Sequence, residues 1–298
     1  MFKNFVASLR LKTLWASILG PLIGGMTAIA LFHSNPERLT AFTSVGIVPL
    51  LALAVLTSLF LQLSVNWAND YFDDKKGNSS TLRPKTELRT SKKRFLFGVT
   101  LSAVFGLTLI FLSPVSFAIK LVLVFFGVLA ILAVVFYSGG KKSYADLGLA
   151  ILVAFFFFGP VATYGTFVLL NGDLALSLDP ILKSISFGLL VGNQLLLDDI
   201  RDIPQDRKFD KRTLAVRIGQ KKSIILYCVI LILALLLSVL TIKAYLICIA
   251  LALFLFVASV YQFVNLKLND LEHGEVDFIK SFQFNSAIGV ALGVLLIF

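Results

Sequence analysis

Chemically versatile side chains are scarce in this sequence. It has two histidines and two cysteines in 298 residues. His33 and His273 fall in loops between apolar runs and share no metal-ligand spacing. Cys228 and Cys248 lie inside apolar runs, as expected of inert buried thiols and not of a disulfide or a metal site. No Ser-His-Asp or Cys-His nucleophile set is present. Charge is scarce as well, at 15% of residues, against about 25% in a soluble domain. What fills the space is apolar: 58% hydrophobic residues, 28 of them Phe, and a mean hydropathy of +0.91. A soluble core cannot hide that much apolar sequence, whereas a bilayer can.

A spanning helix needs about 20 mostly apolar residues. Such runs lie at Thr13–Phe32, Thr43–Val65, Phe95–Ser113, Val115–Tyr137, Leu147–Leu170, Ile181–Leu197, Ser223–Thr241, Ala244–Val264 and Phe282–Phe298. The expected fold is an all-α polytopic membrane protein of about nine transmembrane helices, forming one domain over residues 1–298. Links as short as the one at Pro114 predict tight antiparallel hairpins. No small-residue cleavage pattern follows the first run, so no cleavable signal peptide is expected.

The net charge of +10 is placed in a way that speaks for topology and against a nucleic-acid partner. Of 27 Lys and Arg, 23 lie in the N-terminal segment and in the links after the second, fourth, sixth and eighth runs. The positive-inside rule then puts the N-terminus and both long loops in the cytoplasm and the C-terminus outside. The localisation expected is the cytoplasmic membrane. The two long loops follow the second and sixth runs, and each begins with acidic and amide residues. The chain therefore reads as two four-helix units plus one appended helix.

Those two loop starts carry the chemistry. In the first, Asn66, Asn69, Asp70 and Asp73 are spaced i, i+3, i+4 and i+7 and share one face if the helix continues; Gln62 extends that stripe one turn deeper. Asp74 adds a third carboxylate within five residues. In the second, Asp199, Asp202 and Asp206 again share a face, with Asp198 one residue before and Arg201 among them. Pro204 is expected to disturb or end that helix. A basic run with Lys211, Arg212 and Arg217 follows. Polar groups at a membrane boundary are costly unless they meet partners or a hydrated cavity. Oxygen-rich clusters of this kind suit Mg²⁺, which is often shared with substrate phosphates. Two such clusters on one membrane side could hold two Mg²⁺ ions on a diphosphate, with Arg and Lys on the remaining oxygens.

The motifs Asn69-Asp70-Tyr-Phe-Asp73 and Asp202-Ile-Pro-Gln-Asp206 resemble the two Asp-rich motifs of the UbiA-type intramembrane prenyltransferases, and the resemblance covers essentially the whole chain. Four stretches and the run Arg201–Gly219 are similar to the 1,4-dihydroxy-2-naphthoate polyprenyltransferase branch, which serves menaquinone synthesis. The four are Arg10–Leu14, Ala68–Gly77, Tyr137–Lys142 and Phe158–Thr166. The resemblance implies Mg²⁺-dependent transfer of a polyprenyl group from polyprenyl diphosphate to an aromatic acceptor, dihydroxynaphthoate, within the lipid bilayer. It implies Asp70, Asp73, Asp202 and Asp206 as catalytic carboxylates. It implies metal contact for Asn69, Asp70, Asp73, Asp74, Asp199, Asp202 and Asp206. Diphosphate contact falls to Asn66, Asn69, Tyr137, Lys142, Arg201, Lys211, Arg212 and Lys12.

The chain departs from the family pattern at several positions. Ser79 stands where the first motif usually continues with Asp. Leu11 and Trp15 replace common prolines, and Ile151 a common acidic residue. Asp198 and Asp199 replace typical asparagines, and Asp210 a typical glycine. Two readings compete with the naphthoate transferase: a related prenyltransferase acting on another acceptor such as 4-hydroxybenzoate or homogentisate, and a secondary transporter. Acidic residues at one membrane face, not near the midplane, speak against the transporter.

Overall fold

The computed structural model describes residues 8–10, 13–34, 46–75, 88–140, 143–174, 176–241 and 294. The eighth expected span and, apart from residue 294, the ninth lie outside the described residues, as do Lys12, Ser79, Lys142 and Cys248. Within the described residues the chain is all helical and has no strand.

Seven helices are long and apolar enough to cross a membrane. They are α1 (Leu14–Ser34), α2 (Ile47–Lys75), α3 (Leu88–Leu112), α4 (Phe117–Ser138), α5 (Ala150–Asn171), α6 (Leu178–Lys208) and, after the short α7 (Leu214–Ile218), α8 (Gln220–Thr241). The middle of α5, Phe157–Tyr164, is π-helical and contains Pro160. Large apolar side chains such as Phe111, Phe117 and Leu240 stand exposed on α3, α4 and α8. In water that surface would be an aggregation hazard; in lipid it is the expected outer wall.

Small residues let the inner helices approach. A Cβ on Gly24 would run into the Thr163 carbonyl, and one on Gly159 into the Ser184 carbonyl. These close approaches bring α1, α5 and α6 together around Leu19, Ile23, Phe187 and Leu190. They are packing sites of the kind membrane helices use. A second core, with Phe32, Leu50, Leu109, Phe167 and Leu170, closes the opposite end of α1, α2, α3 and α5. The α3–α4 link is tied down by Ser113, whose hydroxyl donates to the Leu169 carbonyl at 2.6 Å.

Two cations lie inside spans, and each has a local partner. Lys120 Nζ donates to the Phe111 carbonyl at 3.0 Å, satisfying an acceptor at the end of α3. Lys183 is buried, with Asp179 one turn away at 3.7 Å.

The two motif helices overshoot their apolar runs. α2 has 29 residues and α6 has 31; at 1.5 Å per residue each is about 45 Å long, against a hydrocarbon core of about 30 Å. Pro204 does not end α6 as the sequence leads one to expect: the helix runs on to Lys208. Its ring lies on the exposed side of the helix, away from the buried packing of α6.

Candidate active site

The overshoot of α2 is held by neutral amides. Asn66, almost fully buried, donates from Nδ2 to the Leu9 carbonyl at 2.9 Å and to Thr13 Oγ1 at 3.1 Å. Gln62 Nε2 donates to Asn66 Oδ1 at 3.2 Å and to Thr13 Oγ1 at 3.3 Å. These bonds dock the segment before α1 onto α2. They deliver Arg10, whose φ of +48° is unusual for a residue with a side chain, to Asp70 at 2.6 Å. Asn69 lies 2.6 Å from Ser138 Oγ. With its amide nitrogen turned toward the acceptors around it, it donates to Asp73 Oδ2 at 3.2 Å and accepts from Arg10 Nη1 at 2.9 Å.

The overshoot of α6 is held by charges. Arg201 grips Asp202 with Nε and Nη2, both at 2.7 Å, and reaches Asp198 Oδ1 with Nη1 at 3.0 Å. Asp206 is buried and accepts from Thr213 Oγ1 at 3.3 Å. The chain then turns back: Lys211 N donates to the Asp206 carbonyl at 2.9 Å, and Asp210 takes a φ of +51°. Asp tolerates that left-handed geometry better than most residues, which accounts for an acidic residue where the family usually has Gly. The turn sends Lys211 Nζ across to Asp73 Oδ1, 3.8 Å away. The two motif helices, 138 residues apart at these side chains, meet there. Arg212 is 71% exposed beside Asp210.

Between the two overshoots opens a cavity of about 1030 Å³. Asn66, Asn69, Asp73, Asp198, Asp199, Asp202, Asp206, Tyr137, Arg201, Lys211 and Arg212 all contribute to its walls. Asp70 and Asp74 do not; Asp70 stands behind Arg10. From Asp73 the cavity follows α2 down to Ala54, nineteen residues or about 28 Å along the axis. Its deep walls are apolar, with Leu107, Leu123, Phe126, Phe157 and Leu169 among them. The hydroxyls there turn away: Thr57, Ser102 and Thr166 each donate to a carbonyl of their own helix, at 2.7, 2.9 and 2.6 Å.

Several wall residues are absent from the sequence-based assignment. Arg10 carries no charge-pattern signal, because its partner is sixty residues away. Tyr144 meets Tyr137 edge to face at 5.5 Å; burial, and then Tyr137, push its hydroxyl pKa upward. Asp146 and Arg217 belong to segments that only the fold brings together. Asp146 alone had a local signal, since Ser143 three residues before it forms a reciprocal turn, with Ser143 N to Oδ2 at 3.2 Å and Asp146 N to Ser143 Oγ at 3.1 Å.

A buried apolar channel ending in two facing carboxylate clusters is a specific arrangement, and residues 18–287 match the UbiA prenyltransferase family. The chain belongs to the UbiA prenyltransferase family. It is 32% identical over 230 residues to a 1,4-dihydroxy-2-naphthoate octaprenyltransferase of Mycobacterium tuberculosis, covering 76% of this chain and 73% of that protein. It is also 32% identical over 209 residues to the Haemophilus influenzae protein of the same name, covering 67% of this chain and 65% of that one. The chain thus spans just under two thirds of the Haemophilus relative. Solved UbiA homologues share its fold. The one from Aeropyrum pernix gives a TM-score of 0.63 at 16% identity, over 97% of this chain and 98% of that one. The Archaeoglobus fulgidus homologue, solved bound to DMAPP and Mg²⁺, gives 0.57 at 16% identity over 99% of both.

The donor chemistry of this UbiA-family site fits a hard divalent cation. Asp73, Asp198, Asp199, Asp202 and Asp206, five of the seven carboxylates in the cavity wall, come from the two motif helices. Among the described residues no three of them converge as a ready-made metal cage; Arg201 and Lys211 hold them apart. That suits Mg²⁺, which takes one or two carboxylates plus substrate phosphates in preference to an all-protein cage.

Proposed function

We propose that this UbiA-family chain transfers a polyprenyl group from polyprenyl diphosphate to 1,4-dihydroxy-2-naphthoate, with loss of carbon dioxide, to give demethylmenaquinol, the reduced form of demethylmenaquinone, for menaquinone synthesis. The observation that carries the reading is the pair of carboxylate-bearing helix ends, joined by Lys211 and Asp73 at the mouth of an apolar channel about as deep as a hydrocarbon core. The octaprenyltransferase relatives supply the acceptor.

Mg²⁺, held by Asp73, Asp202 and Asp206 with help from Asn69 and Asp199, would neutralise charge on the diphosphate oxygens, whereas Asp74 and the Arg10-bound Asp70 stand off the cavity wall. The chain's own residues do the rest. Lys211, Arg201 and Tyr137 bind the departing diphosphate, with Lys12 and Lys142 assigned to the same task; Arg212, 71% exposed beside Asp210, stands at the rim and contributes little. The allylic C–O bond breaks and its electron pair leaves with the diphosphate. Aromatic walls, Phe157, Phe158 and Tyr137, face the allylic cation. The apolar channel holds the tail and excludes the water that would trap that cation. The ring carbon bearing the carboxylate bonds to the prenyl carbon. The C–CO₂⁻ bond then breaks and returns its pair to the ring. Carbon dioxide leaves in place of a proton, so the ring carbon needs no general base.

The positive-inside count puts this site, the N-terminus and both active-site loops on the cytoplasmic face of the cytoplasmic membrane. The same reading extends the membrane domain over residues 1–298. The test is competition in one membrane preparation supplied with a prenyl diphosphate, Mg²⁺, 1,4-dihydroxy-2-naphthoate and 4-hydroxybenzoate. Prenylated naphthoquinol with released carbon dioxide should dominate. Faster prenylation of the benzoate, or a product that keeps its carboxylate, would overturn the acceptor.

A further inference from the structure

Five described cations line the cavity: Arg10, Arg201, Lys211, Arg212 and Arg217. Four of them face carboxylates of the chain, Arg10 at Asp70, Arg201 at Asp198 and Asp202, Lys211 at Asp73 and Arg212 at Asp210. Arg217 is the exception among the described residues. Its Nε donates to the Arg212 carbonyl at 2.7 Å, and its Nη2 reaches the Asp146 carbonyl at 3.5 Å. Backbone carbonyls hold the guanidinium of this exposed side chain, and no ion pair among the described residues includes it. Gly148, at φ +74°, allows the closeness: a Cβ there would sit 3.2 Å from Leu214 N and 3.4 Å from Arg217 Nε. The Ser143–Leu149 segment and α7 are thereby braced together, with Tyr144 and Arg217 both in the cavity wall.

We propose that Arg217 is the residue that recognises the acceptor's carboxylate, with Tyr144 as a wall for its ring. The inference rests on the reading that the acceptor is a carboxylated aromatic. A planar guanidinium already held by two carbonyls loses little freedom on gripping a carboxylate, and such charge-assisted bonds are the strong ones. A site crowded with carboxylates repels an anionic acceptor. One arginine outside the Arg201 and Lys211 pairs gives that acceptor a place to dock without disturbing the charges that serve the diphosphate. A phenol is neutral at physiological pH, and burial pushes the Tyr144 hydroxyl pKa further up, so it adds no negative charge beside the ring.

The experiment compares two non-reacting ligands that differ by the carboxylate, 1-hydroxy-2-naphthoate and 1-naphthol, titrated calorimetrically into the full-length protein in detergent. Steady-state constants are measured alongside. Wild type should favour the carboxylated ligand by about ten- to a hundredfold, the worth of a charged hydrogen bond. Arg217→Met should abolish that preference and raise KM for the naphthoate while leaving KM for prenyl diphosphate unchanged. Arg217→Lys should restore part of both. Two results overturn the proposal: a preference that survives in Arg217→Met, or losses that fall equally on both substrates, as a purely structural brace would give. If wild type shows the carboxylate preference and Arg217→Met loses it, yet dihydroxynaphthoate is not prenylated, the acceptor assignment fails and Arg217 keeps its role.

Discussion

The two acidic helix ends look alike in sequence and are built on different principles. At the end of α2, amides do the positioning: Gln62, Asn66 and Asn69 dock the Leu9–Thr13 segment and set Arg10 on Asp70. At the end of α6, Arg201 pairs with Asp198 and Asp202, Lys211 reaches across to Asp73, and the Thr213 hydroxyl meets Asp206. The first end is therefore assembled before any ligand arrives. The second is poised between its own cations and whatever cation a substrate brings. Removing an amide at the first end should cost stability, whereas removing a carboxylate that faces the cavity, at either end, should cost turnover.

The largest effect should follow removal of charge across the gap. Asp73→Asn with Asp202→Asn should lower turnover at least 10²- to 10³-fold, the scale of losing preorganised electrostatic groups, with little change in melting temperature. A folded double variant with near-normal prenyl transfer would refute the two-cluster site. Next is Asn66→Ala, which leaves the Leu9 carbonyl without its donor. It should cost about 1–3 kcal/mol of stability, read as a lower melting midpoint in detergent, whereas Asp202→Asn should not. Equal destabilisation by the two would erase the contrast between the ends. Lys211→Met cuts the one ion pair that joins the two ends among the described residues. It should raise KM for prenyl diphosphate about tenfold and leave KM for the acceptor unchanged. Smallest is Arg212→Ala: with the side chain 71% exposed beside Asp210, turnover should stay within about twofold, since exposed pairs contribute little.

What the sequence disclosed was whatever is periodic. Apolar run length marked the seven described spans, and the i, i+3, i+7 spacing put Asn66, Asn69 and Asp73 on the wall they occupy. Asp70 shares that spacing but turns to Arg10, because a helix face is wider than a cavity wall. Pro204 misled because a proline's cost depends on which side of the helix it falls, and that side is set by packing. That Tyr144, Asp146 and Arg217 meet was hidden for a different reason. Their meeting depends on Gly148 and on the turn after Asp206, neither of which leaves a regular pattern.

The π-helical stretch of α5 carries a consequence in register. A π segment closes its hydrogen bonds one residue later than an α-helix does, so it behaves as an α-helix with residues inserted. Each residue of an α-helix turns the chain by about 100°. Gly165, Thr166 and Leu169, which follow the stretch and line the channel, are aimed by that surplus. Deleting a single residue such as Val161 would relax the helix toward ordinary pitch and swing those three away from the channel. The length of one irregular turn thus sets the direction in which the far third of α5 points.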